Sequence, residues 1–187
     1  AVRTFVAPEG REEASEDTGR RLLLLARTAA SGSDAQRMLV AAAARNATSS
    51  EQLDAIRALY DGNQTLDGLD LDVDLKWSLL VALVRGGAAT EEDIAALEAS
   101  DDTMTGRQNA AAARAARAGE WIKADVWDKV LTDTSIPNDT RWAMISGFWA
   151  QARTTPSAYA SYVGEYFDSL VGIWETFTFH TAEDLTT

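Results

Sequence analysis

At 187 residues the chain can bury a real core, as one large domain or two small ones. Its 46% hydrophobic and 25% charged content are ordinary for a globular protein. A formal net charge of −12 disfavours nucleic acid and anionic membrane as partners, because phosphate binding calls for clustered Lys and Arg.

The absence of cysteine excludes a disulfide framework and thiolate chemistry, and a reducing, cytoplasmic setting is expected. No stretch is long and apolar enough to span a bilayer. Ala1-Val2-Arg3-Thr4-Phe5 has neither the apolar run nor the cleavage site of a signal peptide, and no initiating Met. The chain therefore reads as a fragment of something longer.

Residues 1–13 are polar and poorly periodic, and read as a frayed lead-in to a helical domain over residues 14–187. A first helix is expected from Ser15 to Ala30, with Leu22–Leu25 as its apolar centre. Gly32-Ser33-Asp34 breaks it, and Ser33 caps a helix from Asp34 to about Asn46. Ser49-x-x-Gln52 is a capping box opening a helix through Leu53, Ile56, Leu59 and Tyr60, closed by Gly62. After a turn-rich loop over Asn63–Leu69, the segment Asp70 to Val84 places Val73, Trp77, Leu80 and Val84 at i, i+4, i+7 and i+11. Gly86-Gly87 ends that helix.

Thr90-Glu91-Glu92-Asp93 starts a short helix through Ile94 and Leu97. Thr105-x-x-Gln108 is expected to cap an alanine-rich helix from Arg107 to Ala118. Trp121–Leu131 puts Ile122, Val126 and Val130 on one stripe. Thr155-Pro156 reads as an N-cap followed by proline at the first helical position. Tyr159, Tyr162, Val163, Tyr166, Phe167 and Leu170 then keep helical spacing and are expected to form core.

The stretch Asn138–Trp149 is expected to be the central helix of the whole stack. Asn138 reads as its N-cap, and Asp139 suits the positive end of the helix dipole. Trp142, Ile145 and Trp149 share one face with Phe148 on its flank, and Ala143, Met144 and Gly147 lie opposite. The bulky side would fill a core, and the small side would admit a second helix closely. Arg141, the one full charge after the first turn, is expected to find a carboxylate or to reach water.

No segment alternates as a strand does. Helix pairs open near Asp34, Asp70, Thr105 and Asn138, a spacing of roughly 33–37 residues, close to the periods of helical repeats. The expected fold is all-α: an irregular α-solenoid of antiparallel helix pairs of HEAT or armadillo type.

No catalytic, cofactor-binding or metal-binding residue is assigned. With His180 as the sole histidine, an H-E-x-x-H zinc helix is impossible, and no serine lies in a G-x-S-x-G context. Asp70-x-Asp72-x-Asp74 resembles the start of a calcium loop. Its sixth position is Leu75 and its twelfth Val81, where such a loop needs Gly and Glu. Helix-start charge is the better reading there, and for Glu91-Glu92-Asp93. His180, among terminal aromatics, reads as a surface or packing histidine.

Four runs occur in order: Asp70-Leu-Asp-Val-Asp-Leu-Lys-Trp-Ser-Leu-Leu, Thr103-Met-Thr-Gly-Arg-Gln-Asn-Ala, Ile136-Pro-Asn with Ile145-Ser-Gly-Phe-Trp, and Tyr162-Val-Gly-Glu-Tyr-Phe with Ile173-Trp. Together they resemble the C-terminal helical domain of aminopeptidase N-type zinc metallopeptidases, particularly the actinobacterial branch. The similarity runs from roughly Glu12 to the end. The resemblance implies zinc and catalytic residues in an upstream domain, none of which transfers to a position here. It also implies an accessory wall around a chamber, with the catalytic domain of the same polypeptide and peptide substrates as partners. The alternative is a free-standing helical-repeat module that binds a protein or peptide.

Overall fold

The computed structural model describes residues 5–152 and 155–186. Among the described residues the chain is all-α, with ten α-helices, short 3-10 turns and no strand. It divides into two compact units, Ala1–Asp102 and Thr103–Thr187.

The first unit holds α1 (Arg11–Thr28), α2 (Asp34–Asn46), α3 (Ser50–Tyr60), α4 (Val73–Arg85) and α5 (Glu91–Ser100). Helix α1 begins four residues ahead of Ser15, with Glu12 and Glu13 in its first turn, where negative charge suits the dipole. The expected lead-in thus enters a helix at Arg11, and its residues 1–4 lie outside the described ones.

In this unit the caps expected at Ser33 and Ser49 hold. Ser33 accepts from the Gln36 amide at 3.2 Å, and the Gln52 carboxamide oxygen accepts from the Thr48 and Ser49 amides at 3.0 and 3.4 Å. The same Gln52 donates to the Glu16 carbonyl at 2.6 Å, which ties α3 to α1.

Helix α4, and not Asn138–Trp149, is the most deeply buried element. Leu75, Trp77, Leu79, Leu80, Ala82, Leu83 and Val84 are all buried, a helix apolar nearly all round. Val73, the first residue of the expected stripe, is 42% exposed because it opens the helix beside its Asp72 cap. The core of the unit joins Leu75, Leu79 and Leu83 to Ala26, Val40, Ala44, Leu53, Ile56 and Leu59. Gly87, at φ +73°, supplies the left-handed turn that ends this segment.

The second unit holds α6 (Met104–Ala116), α7 (Glu120–Thr132), α8 (Asn138–Phe148), α9 (Ala160–Thr176) and α10 (Phe179–Thr186). The cap of α6 is Thr103, whose hydroxyl accepts from the Gly106 amide at 2.9 Å, and not Thr105 two residues later. Thr155-Pro156 opens a 3-10 turn, Pro156–Tyr159, that leads into α9.

Here α8 is the organising helix, though not quite as its sequence suggests. Its small side does admit a neighbour: a Cβ on Gly147 would lie 2.1 Å from the Ala112 carbonyl oxygen of α6. The bulky side centres on Phe148, 2% exposed, whose ring centroid lies 4.9–5.4 Å from those of Trp127, Trp149, Tyr159 and Tyr162. Aromatic pairs at such distances add to simple burial, so Phe148 anchors this core. Trp142, expected in the core, is 44% exposed. Asn138 is the first helical residue and not the cap, because Pro137 already occupies the cap position; its side-chain oxygen accepts from Thr181 at 3.0 Å.

Helices two apart in sequence pack together, α2 on α4 and α6 on α8. In a stack of helix pairs this is the contact between equivalent helices of successive repeats. Within each unit, the HEAT-type reading of stacked helix pairs holds.

Cationic side chains close several helix ends. Arg141, expected to meet a carboxylate or water, is 2% exposed and donates to the Val130, Asp133 (2.7 Å) and Ile136 (3.2 Å) carbonyls at the end of α7 and just beyond. Its guanidinium also lies 4.5 Å from the Phe177 ring centroid. Burial depresses its pKa, partly offset by nearby Asp133. Arg85 does the same for α2, donating to the Ala44, Arg45 and Ala47 carbonyls at 3.0–3.1 Å. The last carbonyls of a helix lack intrahelical partners, and a cation there also suits the dipole.

Candidate functional site

Among the described residues no group of three His, Cys, Asp or Glu side chains could hold a metal ion. The zinc implied by the resemblance does not fit among them. The acidic stretches are helix caps. Asp72 accepts from the Leu75 amide at 2.8 Å and from Arg37 at 2.9 and 3.1 Å, and this pairing holds its carboxyl below the usual range. Asp93 caps α5 through Thr90 and takes Arg57 at 3.0 and 3.2 Å, with the same effect. His180 is an exposed residue 3.6 Å from Asp184, one turn away.

What the second unit offers is surface. Between α7 and α9 runs an open groove of about 820 Å³ whose lining, among the described residues, includes Glu120, Asp128, Glu165 and Asp168 and no Lys or Arg. Its aromatic lining is Trp127 and Tyr162, with ring centroids 5.1 Å apart. Burial, then Glu165 and Glu120, push the Tyr162 phenol above its ordinary pKa. Such a groove attracts cationic or neutral chains and repels anions. Among the described residues, its lining pairs no nucleophile with a base.

A second recess of about 550 Å³ adjoins it and is lined by Lys123 and Tyr159. Lys123 is 7% exposed and donates to the Ala115 carbonyl at 2.7 Å and the Phe148 carbonyl at 3.1 Å, closing α6 and α8 together. Burial pulls its pKa down to about 8. Those two carbonyls and the Phe148 and Tyr159 rings, at 5.4 and 5.6 Å, favour the ammonium form. No motif in the sequence singles out this lysine. The signal was its place three and seven residues before Val126 and Val130, on the buried stripe of α7.

The apolar stripe of α9 is not all core. Tyr159 and Tyr162 are buried and Tyr166 is half-buried, but Val163 is 53%, Phe167 65% and Val171 69% exposed. Helical spacing marks these positions as apolar without saying that a neighbour covers them. In this unit α7 and α10 cover only the Tyr162–Ile173 side.

The whole of this architecture has relatives. Residues 11–186 match the model of the ERAP1-like C-terminal domain. The chain is 34% identical over 185 residues to aminopeptidase N of Streptomyces lividans, covering 99% of this chain and 21% of that protein. The chain thus spans about a fifth of the length of the curated relative it matches. On these matches it belongs to the family of ERAP1-like C-terminal domains, the C-terminal helical domain of the aminopeptidase N family.

Proposed function

We propose that this chain is the accessory C-terminal domain of a zinc metalloaminopeptidase that removes N-terminal residues from peptides, and that it walls the chamber in which they are cleaved. The observation that carries this reading is the family match over residues 11–186 together with the small share, 21%, of the similar aminopeptidase N that the chain spans. Zinc and the bond-breaking groups belong, on this reading, to the part of the polypeptide outside the chain. The residues described here do the remaining work: they exclude bulky substrates and contact the distal part of a peptide. An acidic, aromatic-lined groove fits such contacts with neutral or basic peptides.

The test compares the 187-residue chain with the longer polypeptide read from the same frame. The chain alone should hydrolyse no aminoacyl reporter and retain no zinc, and the longer polypeptide should do both. Should the longer polypeptide carry no peptidase activity, the free-standing binding module becomes the better account.

A further inference from the structure

We propose that the uncovered apolar face of α9, carried by Val163, Phe167, Val171 and Trp174, is the surface on which this domain docks against the rest of its own polypeptide. The inference rests on the reading above, that the chain is one part of a larger enzyme. It goes beyond that reading by naming the face through which the two parts are held together.

Helix α9 has three sectors. Taking about 100° per residue, Tyr162, Tyr166, Ser169 and Ile173 form the side packed within the unit. Next to it, within an arc of about 100°, come Val163, Leu170, Trp174, Phe167 and Val171. The remaining sector holds Glu165, Asp168, Gly172 and Glu175. A surface helix needs one apolar stripe, and α9 has two side by side, of which one is covered. Trp174 is 47% exposed, and Phe179 of α10, 71% exposed, lies 5.6 Å from it centroid to centroid and lengthens the patch. Scattered exposed apolar residues are ordinary; an uncharged row of four on one helix face marks a contact surface.

Two observations select the occupant. The similar aminopeptidase N is about five times as long as the segment it shares with this chain, so most of such a protein lies outside it. The charge beside the patch argues against a second copy. Helices α9 and α10 carry Glu165, Asp168, Glu175, Glu183 and Asp184 and no Lys or Arg. Pairing the face with itself would bring carboxylates to carboxylates across its rim. The surface that fits is apolar at its centre with cations around it.

The experiment is hydroxyl-radical footprinting of Phe167, Trp174 and Phe179, read by mass spectrometry in the 187-residue chain and in the full-length enzyme. Oxidation should slow roughly fivefold or more in the full-length enzyme, since the centre of a docked face is dry. Phe167→Asp combined with Val171→Asp provides a second readout. It should leave the melting temperature of the 187-residue chain unchanged, because both side chains already face water, and should lower that of the full-length enzyme.

Equal oxidation in the two proteins would overturn the proposal, as would an unaltered full-length enzyme carrying both aspartates. A 187-residue chain that light scattering shows to be dimeric, with the face already protected and Phe167→Asp releasing monomers, would overturn it in favour of a second copy. The footprint is independent of catalysis. A protected face in an enzyme indifferent to peptide length would sink the chamber reading alone, and an unprotected face in a length-selective enzyme would sink the docking alone.

Discussion

Replacing Gly147 with alanine probes the closest approach between α6 and α8. The new Cβ would sit 2.1 Å from the Ala112 carbonyl oxygen, 2.9 Å from its carbonyl carbon and 3.0 Å from the Ala115 Cβ. None of these atoms ends a flexible side chain, so the helices themselves must separate by roughly 1 Å to restore contact distance. Overpacking of this kind costs about 3 kcal/mol at the upper end of its range. Alanine's better helix propensity returns about 1 kcal/mol, leaving a net loss of about 2 kcal/mol. For a unit of this size that lowers the melting temperature by roughly 10 °C. Gly164→Ala in α9 is the matched control, since a Cβ there meets nothing within 4 Å. Only propensity acts at that site, and the variant should gain about 0.5–1 kcal/mol. Thermal melts of both variants followed by circular dichroism decide the matter. A Gly147→Ala protein as stable as wild type, beside a stabilised Gly164→Ala, would refute the contact.

Arg141→Leu should cost about 3 kcal/mol in urea unfolding, because the Val130, Asp133 and Ile136 carbonyls, at the end of α7 and just beyond, lose a charged donor. Lys123 gives a pH signature. Its folded pKa of about 8 lies below the ordinary 10.5, so the unfolded chain binds this proton more tightly. Stability should therefore rise above about pH 8, by no more than roughly 3 kcal/mol in all, and Lys123→Met should abolish the rise. The window closes toward pH 10, where the buried Tyr159 and Tyr162, whose pKa values are raised, begin to work in the opposite direction. Millimolar calcium should leave the melting temperature unchanged, because Arg37 and the Leu75 amide already engage both Asp72 oxygens. Asp72 and Asp93 are held ionised below their ordinary range, so the stability they lend at neutral pH should fade as pH falls through the acid range.

Local chemistry was legible in the sequence. Ser33, Gln52 and Thr90 act where their spacing put them, because a cap needs only neighbours three residues away. The close approach at Gly147 was also legible, since a small face on an apolar helix leaves room for a neighbouring backbone. Partnership across the fold was not. Nothing within α8 says that Arg141 reaches back to the end of α7, or that Trp142 stays half in water while Phe148 takes the centre. Helix α4 was underrated because a stripe at i, i+4, i+7 and i+11 describes one face, whereas Leu75, Leu79 and Leu83 bury the other side as well. The α9 stripe shows the same limit in reverse: period reveals which residues are apolar, and packing decides which are covered. The groove between α7 and α9 arises from two helices distant in sequence, and neither carries a motif.

The chamber reading is tested most directly by the length dependence of catalysis. On the proposed function, the full-length polypeptide and a version lacking this domain, each first shown to be folded and to hold zinc, are assayed with one small aminoacyl reporter and a ladder of peptides. Remote contacts can contribute several kcal/mol to a barrier, but only for substrates long enough to make them. The account predicts that the reporter keeps its kcat/KM while the loss grows with peptide length. An equal proportional loss for the reporter and every peptide would contradict it.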